Sequence, residues 1–172
     1  MASLMENLIS VLEEEGKAYE ELLELSMEKT PIIVGGDLEG LQKITDEEQT
    51  VVARINRLDA KREEVTKDIA NVLNKDVTKL KLADIIQMMS QRPVEQKQLA
   101  AAHDKLKEVV GQMVRINEQN RDLIQSSLEM VEFDLNLIQS MKSAPQTANY
   151  TRGAYSQGTF MGRSSGGFDA KQ

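Results

Sequence analysis

The sequence predicts an all-α fold: an antiparallel bundle of three long helices and one short helix, followed by a disordered C-terminal tail. Three observations predict it. Apolar residues recur at steps of three, four and seven over long stretches. The composition is that of long packed helices, with 28% charged residues, plentiful Leu, Ile, Val, Ala and Met, and only three Phe, three Tyr and no Trp. The prolines, Pro31, Pro93 and Pro145, all fall where the periodicity breaks. The 172 residues suffice for one helical domain, 1–142, with a real core, plus a tail, 143–172.

The first helix is expected from Ser3 to Thr30-Pro31. Ser3 and Glu6 have the spacing of a capping box. Its seam is Leu4, Leu8, Val11, Leu12, Tyr19, Leu22 and Leu23, and the run Glu13, Glu14, Glu15, Glu20, Glu21 and Glu24 reads as a solvated acidic face. Ile32-Ile33-Val34-Gly35-Gly36 reads as an apolar connector closed by glycines. Asp37 then caps a second helix reaching about Val72, whose seam is Leu38, Leu41, Ile44, Val51, Val52, Ile55, Leu58, Val65 and Ile69. Arg54, Arg57, Lys61 and Arg62 form a basic stripe on it that an antiparallel hairpin would bring to the glutamates.

A short third helix is expected from about Thr78 to Ser90. Leu80, Leu82, Ile85, Ile86, Met88 and Met89 occupy so much of its circumference that it is either doubly buried or a contact surface. The longest helix then runs from Pro93, suited to a first helical position, to about Lys142. Its seam is Leu99, Leu106, Val110, Met113, Asn117, Asn120, Ile124, Leu128, Val131, Leu135 and Ile138, which should be buried against other helices. The last 30 residues hold five Gly, four Ser, a Pro, no Leu, Ile or Val, and four of the six aromatics. Such a segment cannot offset its chain entropy by burial and is expected to be disordered alone.

The net charge of −7 argues against nucleic acid or an anionic membrane as the main partner. A basic n-region is missing, no stretch would span a membrane, and the absence of cysteine leaves no disulfide, thiolate or Cys-based zinc site, so a cytoplasmic location is expected. Asn149-Tyr150-Thr151 matches a glycosylation sequon by chance only. A di-metal carboxylate bundle needs E-x-x-H pairs in its core; His103 is the single histidine and Ala100 stands three residues before it. With no glycine-rich phosphate loop and no nucleophile beside a base, a non-enzyme without metal or cofactor is expected.

Two features of the longest helix remain. Asn117 and Asn120 read as polar core positions that fix register, so that Leu in place of Asn120 should leave stability unharmed or raise it. At about 100° per residue from Leu128, the residues Leu128, Val131, Leu135 and Ile138 fall between about 280° and 360°, and Met130, Phe133, Leu137 and Met141 between about 140° and 220°. Upstream, that second sector holds Lys105, Gln112, Gln119 and Ser126. The helix is thus two-faced only in its last turns, where the extra stripe is covered by a second copy or by the folded-back third helix, or else binds another protein. Met beside Phe suits a groove for several cargo helices.

Leu4 to Leu25, then Gly36-Asp37-Leu38, Leu41, Glu48, Ile55, Leu58 and Arg62, and finally Asn117-Glu118-Gln119-Asn120-Arg121-Asp122-Leu123-Ile124 with Ser127-Leu128, resemble the FlgN family of flagellar export chaperones. The resemblance covers roughly residues 4 to 141, and the tail ending Phe168-Asp169-Ala170-Lys171 is similar to that of Gram-positive members. It implies a cytoplasmic chaperone of the flagellar type III export system, monomeric or weakly dimeric, without ATPase activity. Its implied cargoes are hook-associated junction proteins of the FlgK and FlgL type, held through amphipathic helices, with export-apparatus components as further partners. It also implies a cargo site in the C-terminal part, where the helical wheel puts Met130, Phe133, Leu137 and Met141. The tail aromatics Tyr150, Tyr155, Phe160 and Phe168 are candidate anchors on a partner. The rival reading is a structural coiled-coil adaptor or oligomeric scaffold, which would self-associate with fixed stoichiometry and cover the second stripe.

Overall fold

A computed structural model describes residues 2–143, and the side chains of 3–143. Helix α1 spans Ala2–Gly35, α2 Leu38–Val72, α3 Leu82–Met88 and α4 Pro93–Ser143, with a single 3-10 turn at Val77–Lys79 between α2 and α3. The fold is all-α, with three long helices and a short one among the described residues. It divides into two compact units, Met1–Phe133 and Asp134–Gln172. All of α1, α2 and α3 and most of α4 belong to the first; of the second, the last ten residues of α4 are described.

Two boundaries differ from the sequence expectation. Helix α1 is already running at Ala2, so Ser3 lies inside it, and it continues through Pro31 to Gly35. Pro31 removes one N–H, but the helix goes on because Ile33 still has a core site to fill. The helix closes at Gly36, whose φ of 67° is the left-handed conformation that glycine adopts without steric cost. Gly36 N donates to Ile33 O (3.1 Å) and Asp37 N to Ile32 O (3.2 Å), the paired bonds of a Schellman end. Asp37 Oδ1 then accepts from Gly40 N at 2.9 Å and opens α2. The same device ends α2: Asn74 sits at φ 52°, Asn74 N donates to Asn71 O and Lys75 N to Ala70 O. The third helix also splits, into the turn capped by Asp76 and the shorter α3.

Helices α1 and α2 pack as an antiparallel pair. Lys29 meets Glu48 (2.7 Å), Glu21 meets Arg54, and Glu15 meets Arg62 (3.4 Å), so partners rise along one helix as they fall along the other. Helix α4 runs parallel to α1: Lys105 Nζ lies 3.0 Å from Glu20 Oε1, and farther along both helices Asn120 meets Ser26 and Thr30. Exposed ion pairs such as Arg54–Glu21 stabilise by about 0–1 kcal/mol and mainly select this orientation.

The core changes character along the bundle. Where α3 packs, Met5, Leu8, Ile9, Leu12, Val65, Ile69, Ile85, Met89, Leu99, Ala102 and Leu106 form one apolar cluster. Ile85 and Met89 are buried there, with Leu80, Leu82 and Ile86 half-buried around them, so α3 fills the open end between α1, α2 and α4. Gln96 Nε2 reaches back to Ile86 O at 2.8 Å and satisfies the end of α3. A second cluster, Ala18, Leu22, Val51, Ile55 and Leu58, carries the packing onward.

Beyond it comes a polar layer. Asn120 is 3% exposed; its Nδ2 donates to Ser26 O at 2.7 Å and its Oδ1 accepts from Thr30 Oγ1 at 2.6 Å. Fully buried Ser26 donates to Glu48 Oε1 at 3.4 Å, and Glu48 accepts from Lys29. Asn117 lies exposed, so of the two seam asparagines only Asn120 enters the interior. The expectation that Leu would serve as well at 120 is thereby reversed. Asn120→Leu leaves Thr30 without its cross-helix acceptor and is expected to cost roughly 1–3 kcal/mol in urea unfolding, with part of the loss returned when Thr30→Val is added.

The acidic run of α1 is not wholly solvated. Glu15 is 2% exposed and lines a cavity of about 220 Å³ with Tyr19, Ile55, Asp59, Arg62, Leu106 and Val110. No group among the described residues hydrogen-bonds to its Oε1, which Arg62 Nε approaches only to 3.4 Å. Burial pushes the Glu15 carboxyl above the usual carboxylate range, Arg62 pulls it back in part, and Asp59 pushes it further up. The folded chain therefore holds this proton more tightly than the unfolded chain. The resulting stability is fully present below the unfolded pKa and lost as pH rises through the folded one. Glu15→Gln should raise the melting temperature at neutral pH, with the gain vanishing below about pH 4 in a thermal-denaturation series.

Candidate functional site

Among the described residues, the longest stretch of exposed apolar side chains is the end of α4. Every residue from 125 to 143 is exposed. The reason is geometric: Asn120 lies level with Ser26 and Thr30, and α1 closes at Gly35, about two turns farther on. The last partly buried side chains of α4 are Leu123 and Ile124.

Met130, Phe133, Leu137 and Met141 are exposed, from 48% at Leu137 to 71% at Met141. Leu128, Val131, Leu135 and Ile138, expected as the buried continuation of the seam, are exposed as well, from 48% at Ile138 to 56% at Leu128. That is a correction. The seam reading fails past Ile124 because periodicity records which face is apolar and not whether a neighbouring helix reaches it. Nor does α3 cover the extra stripe, since its buried side chains belong to the cluster of Met5, Ile69 and Leu99. The tail aromatics Tyr150, Tyr155, Phe160 and Phe168 lie outside the described residues, as does the tail from 144 on.

The other features of the surface offer less chemistry. A groove of about 610 Å³ beside α2 and α3 is lined by Arg62, Glu63, Glu64 and Lys67 over Leu80 and Ile85. His103 Nδ1 stands 3.2 Å from Asp104 Oδ1, and no cluster of His, Asp or Glu that could hold a metal ion occurs among the described residues. Asp76, held below the usual carboxylate range by the hydroxyl and N–H of Thr78, is a cap. No helix among the described residues is long and apolar enough to cross a membrane.

What the arrangement can do is bind. Among the described residues no element covers the apolar side chains at the end of α4, and an exposed apolar helix face of this kind suits packing against another amphipathic helix. The family model described as "FlgN protein" matches residues 1–157. The chain belongs to the FlgN family. FlgN family proteins are flagellar export chaperones, and the match runs through the whole bundle, the exposed end of α4 and the first part of the tail. Neither a curated protein nor a solved structure matches this chain.

Of the polar members of the interior, the sequence reading found Asn120 and missed Glu15 and Ser26. Glu15 and Ser26 stand on the α1 seam at helical spacing from Leu8, Leu12, Leu22 and Ile33, and that spacing was the available signal.

Proposed function

We propose that this FlgN family member is a cytoplasmic chaperone of the flagellar type III export system. It holds hook-associated junction proteins of the FlgK and FlgL type before export and delivers them to export-apparatus components. The cargo surface is Met130, Phe133, Leu137 and Met141. One observation carries the reading: these side chains are exposed on an ordered helix whose upstream turns are packed. The expected occupant is an amphipathic helix from the cargo, laid along the stripe with its own apolar residues at i, i+3, i+4 and i+7. Burying one Met, Leu or Phe gives roughly 1.5–3 kcal/mol, so four suffice to anchor such a helix after its ordering cost. Met beside Phe adapts to more than one cargo sequence.

The scaffold alternative would have this surface buried between copies of the chain in solution. The chaperone reading requires a monomer or weak dimer, which sedimentation at micromolar concentration tests directly.

Phe133→Ser with Leu137→Ser should abolish binding of a FlgK-type C-terminal segment in calorimetric titration while leaving the melting temperature nearly unchanged. Because Val131 and Leu135 are also exposed, Val131→Ser with Leu135→Ser is not expected to unfold the bundle. A large drop in melting temperature for the Phe133 and Leu137 pair would mean that the stripe is a core or dimer interface, and the cargo site would be wrong.

A further inference from the structure

The cavity of about 220 Å³ among α1, α2 and α4 holds an acid that its neighbours leave unsatisfied. Glu15 of α1 is 2% exposed, and among the described residues its Oε1 has no hydrogen-bond partner. The nearest cation is engaged elsewhere. Arg62 gives its Nη2 to Asp59 Oδ1, and its Nε comes only to 3.4 Å from Glu15 Oε1. With both acids ionised the lining therefore carries two negative charges against one positive. Helix α4 adds no charge to it, only Leu106 and Val110. Tyr19 of α1 stays neutral, because burial, then the Glu15 and Asp59 carboxylates, hold its hydroxyl above the usual phenol range.

These walls specify the missing group. A carboxylate oxygen accepts, so the group must donate, and the unbalanced negative charge asks for a cation. A metal ion does not fit. Hard cations gather about six or more oxygens, and no group of His, Asp or Glu that could hold a metal occurs among the described residues. An ammonium on a short alkyl chain does fit, since its N–H bonds meet Glu15 Oε1 while its methylenes meet Ile55, Leu106 and Val110. Room is sufficient, because one water takes about 30 Å³ of the liquid and the cavity is several times larger. Folding has already removed Glu15 from water, so a ligand bears only its own desolvation. Asp59 and Arg62, more exposed than Glu15, stand at the mouth.

We propose that this cavity is a binding site for a small alkylammonium ion, held by Glu15 at its inner end, with Asp59 at the entrance and Ile55, Leu106 and Val110 around its chain. The ion sits against ionised Glu15, so its arrival displaces the proton that burial favours there. Affinity therefore rises with pH until the carboxyl is fully ionised. The site lies inside the bundle, away from the exposed end of α4, and stands independently of the cargo reading.

The test uses the full chain with n-butylammonium chloride as the probe at constant ionic strength. Affinity is measured by calorimetric titration, and the Glu15 carboxyl carbon is followed by NMR. Butylammonium should shift that carbon saturably and lower the pH at which it titrates. Below that pH the affinity should rise about tenfold per pH unit, and above it level off. The uncharged n-butanol should bind at least about tenfold more weakly. Glu15→Gln should weaken butylammonium binding at least about tenfold, whereas Glu14→Gln, an exposed acid beside it in sequence, should change it less than about twofold. Arg62→Gln should tighten binding at alkaline pH, because the resident cation that competes for Glu15 is gone. Equal affinity for butanol, an affinity indifferent to pH, or equal losses in Glu15→Gln and Glu14→Gln would each overturn the inference. So would an Arg62→Gln chain that binds no better than the parent. The pH series and the butanol comparison use the unaltered chain, so neither depends on a variant that folds.

Discussion

The amide of Asn120 ties α4 to the α1–α2 hairpin through Ser26 O and Thr30 Oγ1. Apolar seams are forgiving, since a helix displaced by one turn meets Leu and Ile again in nearly the same geometry. A buried amide with two partners is not, because displacement leaves Ser26 O and Thr30 Oγ1 facing the wrong residue in a dry interior. The layer is shared three ways, with Ser26, Lys29 and Thr30 from α1, Glu48 from α2 and Asn120 from α4. Setting the register of α4 against a hairpin that turns at Gly36 also sets which residues of α4 find neighbours. Exposure of residues 125–143 therefore follows from a hydrogen-bond layer and from the length of α1, not from weak local packing.

The opposite end of the bundle solves a different problem. There α3 supplies Ile85 and Met89 to a cluster that α1, α2 and α4 line on the remaining sides. A seven-residue helix has little stability of its own, and its place is secured by burial and by two hydrogen bonds, Lys81 N to Asp84 Oδ2 and Gln96 Nε2 to Ile86 O. Interior apolarity thus falls along the bundle, from the closed end at α3 to the polar layer at Asn120. Buried Glu15 lies between the two, its Oε1 without a hydrogen-bond partner among the described residues.

Much of this was legible in the sequence because helical periodicity and helix punctuation are local. The Asp37 cap, the start at Pro93, the extent of α2 and the cross-helix pairing of Arg54 and Arg62 with the α1 glutamates follow from spacing alone. Pro31 misled because a proline inside a helix removes one hydrogen bond and crowds the turn before it, yet α1 runs on to Gly35 with Ile33 buried. Glu15 misled because a carboxylate among glutamates reads as solvated, although its position relative to Leu12 and Leu22 is that of a core residue. The Leu128, Val131, Leu135 and Ile138 seam misled for a nonlocal reason. Its spacing states that the face wants covering, and only the end of α1 at Gly35 reveals that the hairpin does not cover it.

That uncovered length explains how an apolar surface can be kept ready without dissolving its own backbone. An isolated helix of about 12–15 residues is marginal in water because its first turn is expensive to nucleate. Residues 125–143 avoid that cost because they propagate from a helix already held by Leu99, Leu106 and Asn120. Asp134 meanwhile sets a charge between the two apolar stripes, and Glu129 and Glu132 keep the remaining face of the helix polar. Any helix that docked there would meet a preordered template and bear only its own ordering cost.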